Sequence, residues 1–412
     1  MKKWKRNLFI LYVGQFLAMA SMSCVTPFLP LYLQQMGLTD HDEVLVWSGL
    51  IFGANLLTAF IFSPIWGKLA DRYGRKMMLI RSGFGMAITI TLLGFATSPV
   101  HLLLLRLLNG MLSGFGPAAV ALIATNTPKE RSGYALGTLH SGTVAGTICG
   151  PLLGGFMADR FGFSAVFFYT GLCIFLATLI VIFGVREHFE KKETTEPKTD
   201  FRQDFKKIVS RKPIASLFVS AAIIRSAMTG TLPLIPLYVQ QLAPSQENLV
   251  VLAGVTSAAM GIANMLTAPQ LGKLGDKYGS HRIFLCSVFG AILFSIPQAF
   301  VQHLWQLIVL RFCTGACLAG MMPSINVLIR HYAPDGMESR TYSYVNCALF
   351  LGGMAGALGM GVIASWFGLS MIFICSAVLL LLNNVWMKLT VFPEIKQDRE
   401  AAAFVGGQDV SK

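Results

Sequence analysis

Apolar runs of span length recur along the whole chain, separated by short polar stretches that carry almost all of its charge. A helix crossing hydrocarbon needs about 20 mostly apolar residues, because lipid offers no partner to an unpaired backbone amide. By that measure the pattern predicts twelve transmembrane helices, near 7–34, 46–67, 77–97, 100–124, 133–157, 163–185, 214–240, 249–271, 283–301, 304–328, 342–364 and 370–390. They are numbered spans 1 to 12. The fold class read from this pattern is an all-α integral membrane protein.

Three landmarks occur twice. "PFLPLYLQQ" (Pro27 to Gln35) returns 206 positions later as "PLIPLYVQQ" (Pro233 to Gln241). "GKLADRYGRK" (Gly67 to Lys76) returns at an offset of 205 as "GKLGDKYGSH" (Gly272 to His281), and "LLLLRLLNG" (Leu102 to Gly110) returns at the same offset as "LIVLRFCTG" (Leu307 to Gly315). Such matching predicts a duplication, with two pseudo-symmetric six-helix bundles at 1–185 and 214–390 side by side around a central cavity. Residues 186–213 read as a charged linker, whose Phe201, Phe205 and Ile208 share one face of a short surface helix, and 391–412 as a tail. Pro27, Pro30, Pro233 and Pro236 each remove an amide donor, so spans 1 and 7 are expected to bend at equivalent places.

Composition sharpens this picture. Hydrophobic residues make up 54% of the chain and charged ones 13%, against roughly 25% charged in soluble domains. The net charge of +13 gathers at the N-terminus, the turns after spans 2 and 8, the linker and the tail, whereas loops such as 35–45 hold almost no Lys or Arg. That alternation places both termini in the cytoplasm and reports topology, not nucleic-acid binding. The N-terminal "MKKWKRN" leads into an apolar run too long for a secretory signal, so span 1 is read as uncleaved. All eight cysteines fall within spans, and Cys313 and Cys317 share a face with no His or carboxylate beside them, which favours packing over a metal site. No nucleotide loop or nucleophile constellation occurs, so neither an enzyme nor a cofactor is expected.

Ionisable groups inside the bilayer cost about 2.5–3.5 kcal/mol on insertion scales and mark function by default. Arg106 in span 4 and Arg311 in span 10 are equivalent, and Arg225 stands roughly 18 Å into span 7 with Thr229 one turn on. None of the twenty carboxylates lies well inside a span. The cavity is therefore expected to suit zwitterionic, neutral or anionic compounds, with Arg225 as their partner, and proton coupling is left to Asp71, Asp159 or His140. A lone helical histidine is more often a packing residue, so His140 keeps that second reading. Gly142, Gly146, Gly150 and Gly154 leave one face of span 5 bare for a close backbone neighbour, for which span 11, with Gly352 and Gly356, is the expected partner.

These residues resemble a known family. The turn Gly67, Leu69, Ala70, Asp71, Arg72, Gly74, Arg75 and Lys76 is similar to the loop signature of the major facilitator superfamily, and Asp276 stands in its second copy. Gly137, Gly146, Gly150, Pro151, Gly154 and Gly155 have the spacing that marks the drug:proton antiporters within it, and Arg106 with Asn109 and Gly110 resembles a further family motif. The resemblance implies a multi-pass cell-membrane exporter of amphipathic drugs driven by inward proton flow, with Asp71, Arg72, Arg75 and Asp276 locking the inner side. It further implies that Arg106 serves coupling, with Arg311 as its counterpart, and that Gly146, Gly150, Pro151 and Gly154 serve gating. The expected partners are a small-molecule substrate, protons and lipid, the expected substrate contacts are Gln15, Asn109, His140, Arg225, Thr229 and Asn346, and the expected assembly is a monomer. A secondary importer of a metabolite and a non-transporting sensor are the competing readings.

Overall fold

Helices, joined by short turns and 3-10 segments, make up all the regular structure among the described residues of the computed structural model, which are 3–128, 131–187, 206–210, 212–243, 248–334 and 338–395. Span 1 runs Lys3–Val25, passes through a 3-10 turn at Thr26–Phe28 and resumes as Leu29–Gln35. Span 7 repeats this with Lys212–Gly230, Leu232–Leu234 and Ile235–Leu242. The ladder breaks where each first proline withdraws its N–H. Spans 2 and 3 are His41–Tyr73 and Arg75–Leu93, span 5 is Ser132–Phe161 and span 6 is Phe163–Gly184. Span 8 is Leu249–Tyr278, span 9 starts with Ser280–Ser295, and spans 11 and 12 are Glu338–Phe367 and Met371–Thr390. Gly74 and Gly279 both sit at φ 93° in the turns after spans 2 and 8, a left-handed conformation that a Cβ would strain.

Spans 4 and 10 depart from the single helices expected. Span 4 divides into Pro99–Leu112 and Phe115–Asn126 around Gly114 at φ 129°. Span 10 divides into Leu304–Leu318 and Met321–Tyr332, but its Ala319, the equivalent of Gly114, stays right-handed at φ −57°. A residue with a Cβ cannot readily take the sharper break.

Eleven of the twelve spans are long and apolar enough to cross a membrane unaided; span 5 is not among them. Its 30 residues are diluted by glycine, threonine, serine and His140. It is held instead by neighbours. Gly146 and Gly150 lie on the backbone of span 1: a Cβ on Gly146 would stand 2.5 Å from Phe16 O and 2.8 Å from Ala20 N, and one on Gly150 would stand 2.9 Å from Cys24 N. Gly142 meets Tyr12, and Gly154 meets Cys24 and Phe28. The bare face thus packs against span 1 within the first six spans, which corrects the expected pairing with span 11.

Contact between the first and last six spans uses other glycines, in two equivalent seams. Between spans 2 and 11, Gly49 rests on Ala357 O, and a Cβ on Gly361 would lie 2.9 Å from Leu45 O. Between spans 5 and 8, Gly254 rests on Pro151 O, and a Cβ on Gly155 would lie 2.7 Å from Val250 O. Offsets of 205 and 206 relate all four contacts. The seams close only one end. A core including Phe28, Leu45, Ala158, Leu237, Val250 and Phe373 joins both sets of spans there, while the other two cores draw on residues 8–185 and 208–391 alone. The open end is the basic face, which carries the Arg72–Lys76 turn. Asn7 Nδ2 donates to Arg186 O at 2.8 Å and Arg186 N donates to Asn7 Oδ1 at 3.1 Å, tying the start of span 1 to the end of span 6 on this face. Of the linker's proposed helical face, Ile208 is buried in the core of spans 7–12, whereas Phe201 and Phe205 lie outside the described residues.

The two kinds of glycine should respond differently to a single methyl group. Gly150→Ala is expected to lower stability by about 1–3 kcal/mol through overpacking in a permanent contact, read by unfolding in detergent. Gly155→Ala is expected to destabilise only the closed seam, so that Ala253→Cys, buried in wild type, reacts faster with an impermeant maleimide.

Candidate functional site

The seam between spans 2 and 11 ends, toward the basic face, at Gly353. A Cβ there would stand 2.9 Å from Leu56 Cδ1 and 3.7 Å from both Arg225 Cγ and Thr229 Cγ2. Spans 2, 7 and 11 therefore meet at Arg225. Its side chain is exposed although Ile224 and Ala227 beside it are buried, so the guanidinium projects into the gap below the seam. Among the described residues it has no hydrogen bond or ion pair. Thr229 is buried, and its Oγ1 also lacks a partner among them.

The seam-facing stripe of span 5, sealed at Ile148, Pro151 and Gly155, continues toward the basic face through Val144, Ser141, His140 and Gly137. Gly137, His140 and Ser141 are exposed. On span 11 the matching stripe reaches Asn346, also exposed and 206 positions from His140. His140, Asn346 and Arg225 thus lie on faces that meet at one end and part at the other.

The remaining residues expected at the site lie elsewhere. Asn109 is fully buried between spans 2, 3 and 4: it accepts from Asn55 Nδ2 at 3.0 Å and donates to Thr89 Oγ1 at 2.7 Å. Asn55 also donates to Arg106 O at 3.2 Å. Gln15 is buried between spans 1, 4 and 5, donating to Thr143 Oγ1 at 3.1 Å. Arg106 and Arg311 are 5% and 3% exposed, so neither reaches the surface, and the same two atoms of each, Nε and Nη2, lack a partner among the described residues. Arg311 lines a small internal space with Gln298 and Thr314, which bond each other at 2.8 Å. Asp159 is exposed at the closed end.

At the turn after span 2, the side chains of Asp71 and Asp276 lie outside the described residues, Arg72 is exposed over the ring of Tyr73, and Arg75 Nη1 donates to Thr125 Oγ1 at 2.9 Å. The turn is anchored by a residue that the sequence did not single out. Glu187 accepts from Arg75 N at 3.0 Å and from Lys76 N at 2.8 Å, placing a carboxylate on the positive N-terminus of span 3.

A second unforeseen cluster serves the break in span 4. Arg81 stacks 3.5 Å from the centre of the Trp66 ring and donates to Ser113 O at 3.0 Å, while Trp66 Nε1 donates to Met111 O at 2.7 Å. These bonds satisfy carbonyls that the break frees, which nothing in lipid would do. In the second half the equivalent positions hold Leu271 and Cys286, where the milder break frees less. The sequence signal was present in "LSGFGP", Leu112 to Pro117, a Ser-Gly and a Gly-Pro inside one apolar run.

Twelve spans, equivalent contacts at offsets of 205 and 206, and a basic-side gap with a charged residue at its apex define a secondary membrane transporter. The profile of the Major Facilitator Superfamily matches residues 11–269 and 217–408. Multidrug resistance protein MdtG of Enterobacter lignolyticus is 40% identical over 412 residues, covering 99% of this chain and 96% of that protein, and MdtG of Dickeya zeae is 40% identical over 388 residues, covering 94% and 95%. In fold, the chain is similar to a bacterial homologue of the human lysosomal transporter Spinster in an inward-facing, unoccupied conformation, with TM-score 0.80, 16% identity and coverage of 94% and 97%. It is similar also to the nucleoside transporter NupG, with TM-score 0.76, 13% identity and coverage of 93% and 99%. The chain belongs to the Major Facilitator Superfamily and is a multi-pass membrane transporter.

Asn109 separates two roles cleanly. Asn109→Leu should cost about 1–3 kcal/mol, because Asn55 and Thr89 keep buried polar atoms that have lost a partner. The loss should be measurable by thermal unfolding without any substrate, and the affinity of the folded fraction for substrate should stay within twofold.

Proposed function

We propose that this transporter exports amphipathic small molecules from the cytoplasm in exchange for protons, by rocking bundles 1–185 and 214–390, joined by the linker 186–213, about a central site. The observation that carries this reading is Arg225, a cation without a protein partner among the described residues, projecting into the gap where spans 2, 7 and 11 converge. Likeness to the MdtG multidrug resistance proteins over nearly the whole chain supports the substrate class. The basic face is read as cytoplasmic, because Lys- and Arg-rich turns stay inside, so the gap opens toward the compartment from which drugs are taken. The protein works as a monomer in the cell membrane with both termini inside, and its net positive charge meets lipid headgroups, not nucleic acid.

A permanent cation, and spans whose interior holds no carboxylate in the sequence, favour acidic or zwitterionic cargo over cationic dyes. Asn346, exposed on the stripe of span 11, supplies a neutral polar contact, Thr229 lies buried behind Arg225, and the coupling proton runs through Asp71, Asp159 or His140. Arg106 and Arg311 act from within their bundles. The turn of Asp71, Arg72 and Arg75, with Asp276 in its second copy, closes the cytoplasmic side when the far side opens, and Gly146, Gly150, Pro151 and Gly154 hold span 5 to its neighbours during the movement.

The test is flux into inverted membrane vesicles under an imposed pH gradient. Wild type should accumulate acidic amphiphiles only while the gradient is present. Arg225→Ala should lower that uptake at least about tenfold, the equivalent of 1.4 kcal/mol, and unchanged uptake across an acidic, neutral and cationic panel would remove Arg225 from the site.

A further inference from the structure

One sizeable cavity of the described residues is not lined by Arg225. A groove of about 780 Å³ lies between the basic-face ends of spans 1 and 5 and the turn before span 5, lined by Trp4, Lys5, Phe9, Tyr12, Arg131 and Tyr134 among others. Its size falls within the range of about 300–1,000 Å³ that holds drug-sized ligands.

Its chemistry is asymmetric. Four of those six side chains are aromatic and two are cationic, and among the described residues no carboxylate lines the groove. Span 1 cannot supply one, because the first acid in the chain is Asp40. Lys5 Nζ stands 5.7 Å from the centre of the Trp4 ring, so charge and aromatic face are offered side by side. Glu130, next to Arg131 in the chain, lies outside the described residues and enters the test for that reason.

One wall is fixed in advance. A Cβ on Gly142 would stand 3.0 Å from both Tyr12 Cδ2 and Tyr12 O, and Gln15 bonds Thr143 one turn further on. The aromatic wall is thus held by the permanent contact of spans 1 and 5, which limits the ordering cost of binding. The residue of span 1 equivalent to Arg225 is Met19, seven positions beyond Tyr12, or about 10 Å along the helix. The groove is one step toward the cytoplasm from the central cation.

We propose that this groove is a loading site for aromatic monoanions, in which the ring lies against Trp4 and Tyr134 and the anionic group sits between Lys5 and Arg131 before it passes to Arg225. This rests on the exporter reading for its direction of travel, but the groove itself is tested by binding alone.

The probe is 2-naphthalenesulfonate, permanently charged, with neutral 2-naphthalenesulfonamide as its counterpart, titrated against the full-length protein in phosphatidylcholine nanodiscs by tryptophan quenching. Paired Lys5→Gln and Arg131→Gln substitutions, at exposed positions, should weaken sulfonate binding about tenfold and sulfonamide binding less than twofold. Trp4→Phe should remove most of the quenching, and Tyr134→Ala should weaken both ligands. Sulfonate affinity unchanged in the paired variant would overturn the proposal. So would equal losses for the two ligands, an increase of tenfold or more in Glu130→Gln, or competitive loss of sulfonate binding in phosphatidylglycerol discs, which would make a lipid phosphate the occupant. Gradient-driven vesicle flux separates the two readings: wild type that binds the sulfonate but moves no amphiphile leaves the groove standing and removes the exporter.

Discussion

Glycine laid against a backbone carbonyl is the interaction on which this structure depends. In lipid, helices gain no hydrophobic free energy by touching, so association rests on close van der Waals approach. Positions without Cβ allow that approach, and the chain uses them in two distinct ways. Gly142, Gly146, Gly150 and Gly154 fasten span 5 to span 1, and Gly352 and Gly356 fasten span 11 to the backbone of span 7 at Ala222 and Ser226. Gly49, Gly155, Gly254 and Gly361 instead make the contacts between the two sets of spans. One helix thus carries a fixed joint on one face and a separable one on another.

This division was only half legible in the sequence. Spans, turns and the repeat follow from apolar length and from matched landmarks, because those depend on local composition. The bare face of span 5 was equally plain, but its partner was not: a stripe of small residues says that something comes close, not which helix does. The same limit applies to Asn109. Spacing put it one turn from Arg106 and so among the substrate contacts, whereas the side chain is consumed by Asn55 and Thr89, brought together only by tertiary packing. Arg225 was readable because a charge deep in an apolar run is costly wherever it points.

The two halves differ where one of them needs more. Gly114 breaks span 4 at positive φ, and Trp66 and Arg81 satisfy the carbonyls exposed there; Ala319, Leu271 and Cys286 stand at the matching positions, where Ala319 stays right-handed. The terminal tyrosines keep the older symmetry: Tyr238 donates to Gln298 O at 2.9 Å, and Tyr32 reaches Leu93 O and Ala96 O at 3.4 Å.

At Gly49, Gly155, Gly254 and Gly361 the seams between spans 2 and 11 and between spans 5 and 8 set main-chain oxygen against a bare Cα. Those oxygens already accept their own helical amides, so parting them breaks no strong bond. What is surrendered is dispersion, and water entering the crevice can engage the second lone pair of each carbonyl. The zipper is present as two copies related by the internal repeat, so each strip offers the same main-chain contacts to its partner.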